Sequence, residues 1–402
     1  MTPDEYQDRI LAEVAPMAAF PQRLLDCVGL ASAEEVRSGV SLPGFDNSAM
    51  DGYAVRYADV RTACADEPVR LPVVGEIGAG RADLLALPSG SCAKIMTGAP
   101  MPTGADAVVP YEWTDRGAAW VSISQAPAEH QHVRYAGEDV AVGDLVIAEG
   151  TVLGPRHLGL LACVGRDRIA TRPRPRVVVI STGSELREPG QQLGHGAIYD
   201  GNSYLLAAAA RRVGALPTRV GIVADSPAAF LGTLEDQLLR ADLVITSGGV
   251  SMGDYDVVKE ALAPRGVWFG SVAMQPGKPQ GFGHLGPDRV PIFCLPGNPV
   301  SSFVSFELFV RPALRRLMGI APEVEPTLPA TLTHDVPSPK GRRQYLRGHY
   351  DGTHATVSPV GGPGSHLIGD LAQADALLIV PAETTLMPAG SRVEVIVLQD
   401  TP

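Results

Sequence analysis

The chain has 402 residues, of which 45% are hydrophobic and 5% aromatic, and its formal net charge is −11. A chain of this length exceeds one hydrophobic core and predicts about two to four domains. The negative charge argues against binding along a nucleic-acid backbone, and the low aromatic content argues against a base-stacking surface.

The cysteines and the apolar segments indicate the cellular compartment of the protein. The five cysteines are scattered and form no CxxC pair, so neither a zinc site nor a disulfide framework is predicted. No apolar run approaches the about 20 residues that a membrane-spanning helix needs. The acidic N-terminus lacks the apolar segment of a signal peptide. We therefore expect a soluble cytoplasmic protein without a membrane partner.

The N-terminal part predicts helices over 4–15 and 22–30, because apolar residues recur there at helical spacing. A dense polar stretch follows within residues 42–55 and contains Asp46 and Asp51. This composition is typical of ordered Asx turns, but the same side chains could form a polar wall of a site.

Small β modules are predicted from residue 54 to about 150. Their strands are expected at 69–77, 91–96, 107–111, 119–124 and 145–147. Thr97 follows the strand expected at 91–96. It could simply belong to a turn, or its hydroxyl could contact a ligand. A helix within 151–165, beginning near Pro155, leads to a stiff basic, proline-rich linker at 171–176, which predicts a domain boundary.

Strands and helices then alternate up to about residue 318, which predicts a parallel, doubly wound α/β sheet. The strands are expected at 177–180, 218–223, 243–246, 267–272 and 290–295, and the helices at 202–213, 227–239, 254–261 and 300–318. After a second proline-rich boundary, short strands from about 330 to 398 predict a small β-barrel or sandwich, with one helix at 365–374.

Three polar, glycine-bearing loops follow strands of the α/β domain, at 181–183, 247–249 and 295–299. Open α/β sheets bind ligands at the carboxyl ends of their strands, so these loops predict a ligand site. Acidic residues follow strands of the same domain and would suit Mg²⁺, which prefers oxygen ligands. These acids are Glu185, Asp225, Asp254 and Asp256.

Isolated cationic and hydroxyl residues complete this candidate site. Lys278 lies in a proline-flanked loop, where a point charge suits an oxyanion. Arg347 and Ser365 could add donors if the last domain folds back, although each could equally be a surface or turn residue. Neither a Walker lysine nor a GxGxxG at a Rossmann opening is present, so nucleotide binding of those types is disfavoured.

Several motifs occur along the chain in the order that is typical of one protein family, at 45–54, 95–99, 181–186, 200–202, 247–251, 276–279 and 295–299. By these motifs the chain resembles the MoeA family, the molybdopterin molybdenumtransferases, which includes the E domain of gephyrin. The resemblance implies an elongated homodimer of four-domain chains. The implied domains are a split domain I (1–45 and 140–172), a β-rich domain II (46–139), an α/β domain III similar to the molybdopterin adenylyltransferases (173–321), and a C-terminal β-barrel domain IV (322–402).

The implied reaction takes adenylylated molybdopterin and molybdate, requires Mg²⁺, and releases AMP and molybdenum cofactor. By resemblance, Glu185, Asp225 and Asp256 are the acids for metal binding and hydrolysis. Asp46 and Thr97 are expected to reach the same cleft from the partner subunit.

The resemblance also implies the substrate contacts. The turn formed by Ser247, Gly248 and Gly249 is expected to hold the pterin phosphate, and Lys278, Arg347 and Ser365 to contact molybdate. The remaining implied substrate-binding residues are Ser251, Pro296, Gly297, Asn298 and Ser301. Gln275 departs from the family, since many relatives carry lysine there, and this weakens one implied oxyanion subsite.

Two other functions stay open from the sequence. The α/β domain could adenylylate molybdopterin, or the chain could be a scaffold that keeps the fold without the chemistry. The additional domains argue against the first alternative, and the three acids argue against the second. A molybdopterin adenylyltransferase is a possible partner of the chain.

Overall fold

The computed structural model describes residues 1–80, 86–250 and 256–398. The predicted site residues Ser251 and Asp254 lie outside these ranges. Within the described ranges, no helix is both long and apolar enough to cross a membrane.

The N-terminal region combines short strands with one amphipathic helix. Its elements are α1 (Pro3–Glu13), β1 (Phe20–Arg23) and β2 (Val36–Arg37). Thr2 and Glu5 form a reciprocal capping box that fixes the beginning of α1. The buried face of α1 packs into the core of the α/β unit through Tyr6 and Ile10.

The predicted helix at 22–30 is wrong. Residues 20–23 pair with a later strand, and only one 3-10 turn, Leu24–Cys27, follows. Leu25, a residue of the predicted apolar stripe, is 84% exposed. Backbone pairing over a long sequence separation therefore overrides the local helical spacing.

The β-rich unit is a five-stranded sheet with the order β7-β4-β6-β5-β8. Its elements are β3 (Asn47–Ser48), β4 (Gly52–Val55), α2 (Tyr57–Val60), β5 (Val69–Ile77), β6 (Cys92–Ile95), β7 (Ala107–Pro110), β8 (Trp120–Ile123) and β9 (Val133–Arg134). The chain then returns to the N-terminal region with β10 (Leu145–Ile147), α3 (Pro155–Cys163) and β11 (Arg168–Thr171). β1 pairs with β11, and β2 with β10, around one small apolar core.

The α/β unit has a six-stranded sheet with helices on both faces. Its elements are β12 (Arg176–Thr182), β13 (Leu186–Arg187), β14 (Ile198–Tyr199), α4 (Asn202–Arg212), β15 (Leu216–Val223), α5 (Pro227–Leu238), β16 (Leu243–Ser247), α6 (Val257–Leu262), β17 (Trp268–Ser271), β18 (Met274–Gln275), β19 (Pro279–Leu285), β20 (Val290–Leu295), α7 (Pro299–Ser305) and α8 (Arg311–Leu317). A π-helical turn, Phe306–Val310, joins α7 to α8.

The sheet order is β15-β12-β16-β20-β19-β17. The first four strands are parallel, which places their carboxyl ends at one edge. β19 runs antiparallel to both of its neighbours, β20 and β17, so the predicted parallel sheet is wrong at this side. β19 was not predicted from the sequence, because its proline and two glycines are typical of loops.

The C-terminal unit closes on itself. Its elements are β21 (Leu328–Leu332), β22 (Val336–Pro337), β23 (Arg343–Asp351), β24 (Thr356–Pro359), α9 (Ile368–Leu371), β25 (Ala376–Val380), β26 (Leu386–Met387) and β27 (Arg392–Val397). β23 pairs with both β24 and β25, which closes the predicted barrel, while β18 of the α/β unit adds to β23 in parallel. The barrel is therefore attached beside the α/β sheet. The predicted fold class is confirmed, although the helix expected at 365–374 is only the short α9.

Candidate active site

A cleft of about 940 Å³ opens at the carboxyl ends of β12, β15, β16 and β20. Residues of the barrel form its opposite wall, because β18 and β23 hold the two units together. The cleft is lined by many of the predicted site residues: Glu185, Asp225, Gly248, Gly249, Asp256, Lys278, Pro296, Gly297, Asn298, Ser301 and Ser365.

The three predicted acids line this cleft from three successive loops. Glu185 follows β12 and folds back over Gly183, where a Cβ atom would lie 2.7 Å from its Oε2. Asp225 follows β15, and its Oδ2 accepts a hydrogen bond of 2.7 Å from the backbone N–H of Ser184. Asp256 immediately precedes α6. The chain thus brings three carboxylates to one rim.

These acids do not form a complete metal site by themselves. Across residues 1–80, 86–250 and 256–398, no three His, Cys, Asp or Glu side chains are grouped closely enough to hold a metal ion. Mg²⁺ commonly takes only one or two carboxylates and completes its shell with water and substrate phosphate. The residues present therefore fit Mg²⁺ only when substrate oxygens share the ion.

The glycine turn after β16 brings bare backbone to the cleft. Gly248 and Gly249 have φ angles of +94° and +68°, in the region that glycine favours. A Cβ atom at Gly249 would lie 2.8 Å from the side chain of Val258 in α6, so this turn packs directly on the helix. The N–H of Gly248 donates to the carbonyl of Leu295 at 3.1 Å, so the turn is also held to the end of β20, and its backbone lines the cleft.

Ser247, in contrast, is buried and faces a neighbouring pocket of about 560 Å³. Its Oγ accepts a 2.8 Å hydrogen bond from Nδ2 of Asn202, which also donates to the carbonyl of Gly297 at 2.6 Å. Asn202 therefore links the loops that follow β16 and β20. The 200–202 motif indicated this region, but the sequence analysis gave Asn202 no role.

The cationic side of the cleft lies in the loop before β19 and at the start of the barrel. Lys278 is exposed to the cleft, and Gln275 lines the same wall without a charge. Arg342, which the sequence analysis missed, also lines the cleft and is exposed. It directly precedes β23, the strand that contains Arg347, so its closeness in sequence to Arg347 was a signal that could have identified it.

The barrel contributes the segment that contains Ser365. Ser365 Oγ accepts from Asn298 Nδ2 at 2.8 Å, and its carbonyl accepts from the N–H of Val300 at 3.0 Å. The next residue, His366, lines both the cleft and the neighbouring pocket and was also missed. The predicted contact Arg347 is placed elsewhere: it is buried, does not line the cleft, and donates to carbonyls of this segment.

Asp46 and Thr97 lie in the β-rich unit and do not line the cleft of their own chain. Asp46 accepts a 2.8 Å hydrogen bond from the N–H of Ala136. Thr97 donates from its N–H and its hydroxyl to Asp51 Oδ1, at 2.7 and 2.9 Å, and these bonds lower the pKa of the Asp51 carboxyl. All three side chains are exposed and form a polar surface of their own.

Family models match the chain in three consecutive segments. The MoeA N-terminal region (domain I and II) matches residues 1–165, and a probable molybdopterin binding domain matches residues 178–316. The MoeA C-terminal region (domain IV) matches residues 329–398.

Curated relatives and solved structures extend this similarity over nearly the whole chain. Molybdopterin molybdenumtransferase 2 of Mycobacterium tuberculosis is 46% identical over 379 residues, which are 92% of this chain and 93% of the relative. Molybdopterin molybdenumtransferase 1 of the same organism is 40% identical over 415 residues, 98% and 97% of the two chains. The crystal structure of a MoeA protein from Pyrococcus horikoshii has 30% identity and a TM-score of 0.86, and the match covers 99% of each chain.

These matches confirm the resemblance and the class of enzyme that the sequence analysis predicted. They also agree with the order of β-rich, α/β and barrel units in the structure. The chain therefore belongs to the MoeA family, the molybdopterin molybdenumtransferases of molybdenum cofactor biosynthesis.

Proposed function

We propose that this protein inserts molybdate into adenylylated molybdopterin in a Mg²⁺-dependent reaction that releases AMP and molybdenum cofactor. The observation that carries this proposal is the single cleft, where three acids, a glycine turn and two cations converge. The acids suit the phosphoanhydride of adenylylated molybdopterin, and the glycine turn suits its pterin phosphate. The cations suit the second substrate, molybdate.

The acidic rim is assigned to hydrolysis of the pterin–AMP anhydride. Glu185, Asp225 and Asp256 would hold Mg²⁺ together with phosphate oxygens of the substrate. When bound, the ion would neutralise phosphate charge and polarise the phosphorus centre. One of the carboxylates would accept a proton from an attacking water. The water oxygen bonds to the phosphorus of the AMP moiety, the bridging P–O bond of the anhydride breaks, and the pterin leaves with its own phosphate.

The opposite wall is assigned to molybdate. Lys278 and Arg342 supply positive charge at the cleft, and Ser301 and Ser365 supply polar groups. Gln275 contributes an uncharged amide to the same wall, so Arg342 is assigned as the second cation that attracts the oxyanion beside Lys278. The glycine turn, with Pro296, Gly297 and Asn298 beside it, is assigned to the pterin phosphate.

The protein is proposed to act in the cytoplasm as a homodimer. All five cysteines are free thiols, which is the usual state in a reducing compartment. The side chains of Asp46, Asp51 and Thr97 are exposed and do not line the cleft of their own chain, so in a homodimer they would be placed to reach the cleft of the partner subunit. A molybdopterin adenylyltransferase is the proposed supplier of the adenylylated substrate.

Incubation of the purified protein with adenylylated molybdopterin, molybdate and Mg²⁺ tests the reaction. We expect AMP release that requires all three components, measured by chromatography beside an active relative. If the active relative releases AMP and this protein does not, the insertase assignment is rejected. Formation of adenylylated molybdopterin from ATP would instead support the adenylyltransferase alternative, and inactivity in both assays would support a scaffold.

Mixed dimers test the contribution of the partner subunit. Asp46→Ala and Asp256→Ala proteins should each be inactive, but co-expressed chains should recover about a quarter of the parent activity. Half of the random dimers are then mixed, and each mixed dimer has one intact composite site. The measurement is AMP release by the co-expressed mixture; heterodimers purified from it through two different affinity tags should show about half of the parent activity, since one of their two sites is intact.

The matched control combines Asp225→Ala with Asp256→Ala. Both acids belong to the cleft of one chain, so neither site in such a heterodimer is intact, and no recovery is expected. Equal recovery in the two mixtures, or none in either, would contradict the assignment of Asp46 to the partner's site.

A further inference from the structure

Gln280 lies near the beginning of β19, just after the loop that carries Lys278. It is 1% exposed and does not line the cleft. Its Nε2 donates to the carbonyl of Gly277 at 2.7 Å and to Oγ of Ser305 at 2.6 Å. A carbonyl oxygen can only accept, so the contact with Gly277 assigns this end of the amide as the nitrogen. One buried side chain thus joins the Lys278 loop to the last residue of α7.

Gly277 packs closely against both groups that this amide connects. Its φ of +98° lies in the region that glycine favours. A Cβ atom there would lie 3.0 Å from Oγ of Ser305 and 3.4 Å from Nε2 of Gln280. The backbone of the loop therefore approaches the end of α7, which allows one amide nitrogen to reach both.

The two peptide groups that flank Lys278 are each held by a different hydrogen bond. The carbonyl of Gly277 and the N–H of Lys278 belong to one planar unit, so the bond from Gln280 fixes that plane. The carbonyl of Lys278 accepts from the N–H of Val272 at 2.8 Å, which fixes the next plane. The direction in which the lysine side chain leaves the backbone is therefore set from both sides, while the side chain itself is exposed to the cleft.

Only the nitrogen of the Gln280 amide is used. Its Oε1 is buried and has no hydrogen-bond partner within the part of the chain that the structure describes. A buried acceptor without a partner is unfavourable, and an apolar side chain of the same length would avoid it. The two bonds from Nε2 are what such an apolar side chain could not supply.

We propose that Gln280 is a positioning residue of the molybdate wall. It ties the Lys278 loop to α7 and so sets the distance between Lys278 and Ser301, which lines the cleft from that helix. Because α7 begins at the loop assigned to the pterin phosphate, the same tie aligns the oxyanion with the pterin. This inference rests on the proposed function for the identity of both ligands, whereas the hydrogen bonds of Gln280 stand independently of it.

Hydrogen exchange without any substrate tests the tie. Gln280→Met keeps an unbranched side chain of similar length but removes both N–H groups. We expect the amide of Val272 and the peptide 272–278 to exchange roughly tenfold faster, because the loop opens more often. The peptides are measured by mass spectrometry at a temperature where circular dichroism shows a folded protein. Unchanged exchange in the folded variant would overturn the proposal.

Two further variants make this result specific. Ser305→Ala removes the anchor in α7 but leaves a good helix former there. It should also accelerate exchange of 272–278, and it serves as the test if Gln280→Met does not fold. Gln22→Met is the matched control, because Gln22 likewise donates from Nε2 to a hydroxyl, Oγ1 of Thr171 at 2.6 Å, but in the N-terminal unit. It should leave exchange of 272–278 at the parental rate.

A double-mutant cycle on the molybdate KM connects the loop to the reaction. Gln280→Met should raise this KM roughly tenfold while changing kcat by less than about twofold, because the acidic rim is untouched. In a Lys278→Ala background the same substitution should have little further effect, since it acts through Lys278. Full additivity, or faster exchange with an unchanged KM, would overturn the proposal. If the parent protein releases no AMP, the proposed function fails, while the exchange experiment still decides whether Gln280 holds the loop.

Discussion

Replacing Asp256 with alanine is expected to reduce AMP release by roughly a hundredfold or more, the range attributed to a positioned acid–base or charge-stabilising group. Asp256 lines the cleft at the point where α6 begins, on the same rim as Glu185 and Asp225. In the proposed mechanism Mg²⁺ would lose one of its three carboxylate partners, so the substitution would slow the chemical step.

The fold is expected to survive this substitution. Asp256 is half-buried at the rim of the cleft, whereas the core of α6 is formed by neighbours such as Val258. The melting temperature should therefore move by no more than about 4 °C. Single-turnover AMP release, with Mg²⁺ varied, measures the loss.

Asp236→Ala is the matched control for this experiment. Asp236 is an exposed aspartate on the neighbouring helix α5, so its loss changes the net charge equally without touching the cleft. Its AMP release should match that of the parent. Near-parental activity in Asp256→Ala would show that the acid assignment is wrong.

The three predicted acids line one cleft because parallel strands impose a simple geometry. Once Glu185, Asp225 and Asp256 are each assigned to a loop after a parallel strand, the sheet must bring those loops to one edge. The same reasoning predicted the glycine turn at 248–249. Local patterns were sufficient for these loops because the pairing of the parallel strands brings the loops together.

The sequence did not separate the two arginines of the barrel. Arg342 and Arg347 lie only five positions apart in one segment of the chain, and only Arg347 was predicted to contact the oxyanion, although Arg342 lines the cleft. Their difference comes from the closure of β23 on β24 and β25, which buries Arg347 and leaves Arg342 at the open end beside β18. That closure depends on pairings distant in sequence.

The antiparallel side of the α/β sheet was missed for a related reason. β19 contains Gly281 and Gly283, which resemble a loop in sequence but lie against Phe269 and Val267 of the adjacent segment. A Cβ at Gly281 would lie 2.6 Å from the Phe269 ring. These glycines make room for bulky neighbours, and only the neighbouring strand reveals that need.

Gly52→Ala is expected to destabilise the β-rich unit by about 3 kcal/mol or more, at the upper end of overpacking effects. Gly52 lies in β4, the strand between β6 and β7. A Cβ atom there would lie 2.0 Å from the carbonyl oxygen of Val109 and 3.0 Å from Cα of Pro110. Because both obstacles are backbone atoms of β7, no side-chain rotation relieves the contact, and the two strands must separate.

Hydrogen exchange of the peptides that contain 52–55 and 107–110 measures this change within its own unit. An opening free energy lower by about 3 kcal/mol corresponds to exchange that is faster by roughly a hundredfold. Gly78→Ala, in the same unit, is the matched control, since a Cβ there meets no atom within 4 Å. Its exchange should stay near the parental rate.

The substitution should also affect the polar surface next to Gly52. Asp51 precedes Gly52 directly, and its carboxylate holds Thr97 through two hydrogen bonds. Separation of β4 from β7 would displace Asp51, so Gly52→Ala should fail to supply the partner's site in mixed dimers with Asp256→Ala. Parental exchange together with full recovery in those dimers would mean that β4 tolerates a side chain at this position. The glycine of the 45–54 motif would then serve neither the packing nor the site.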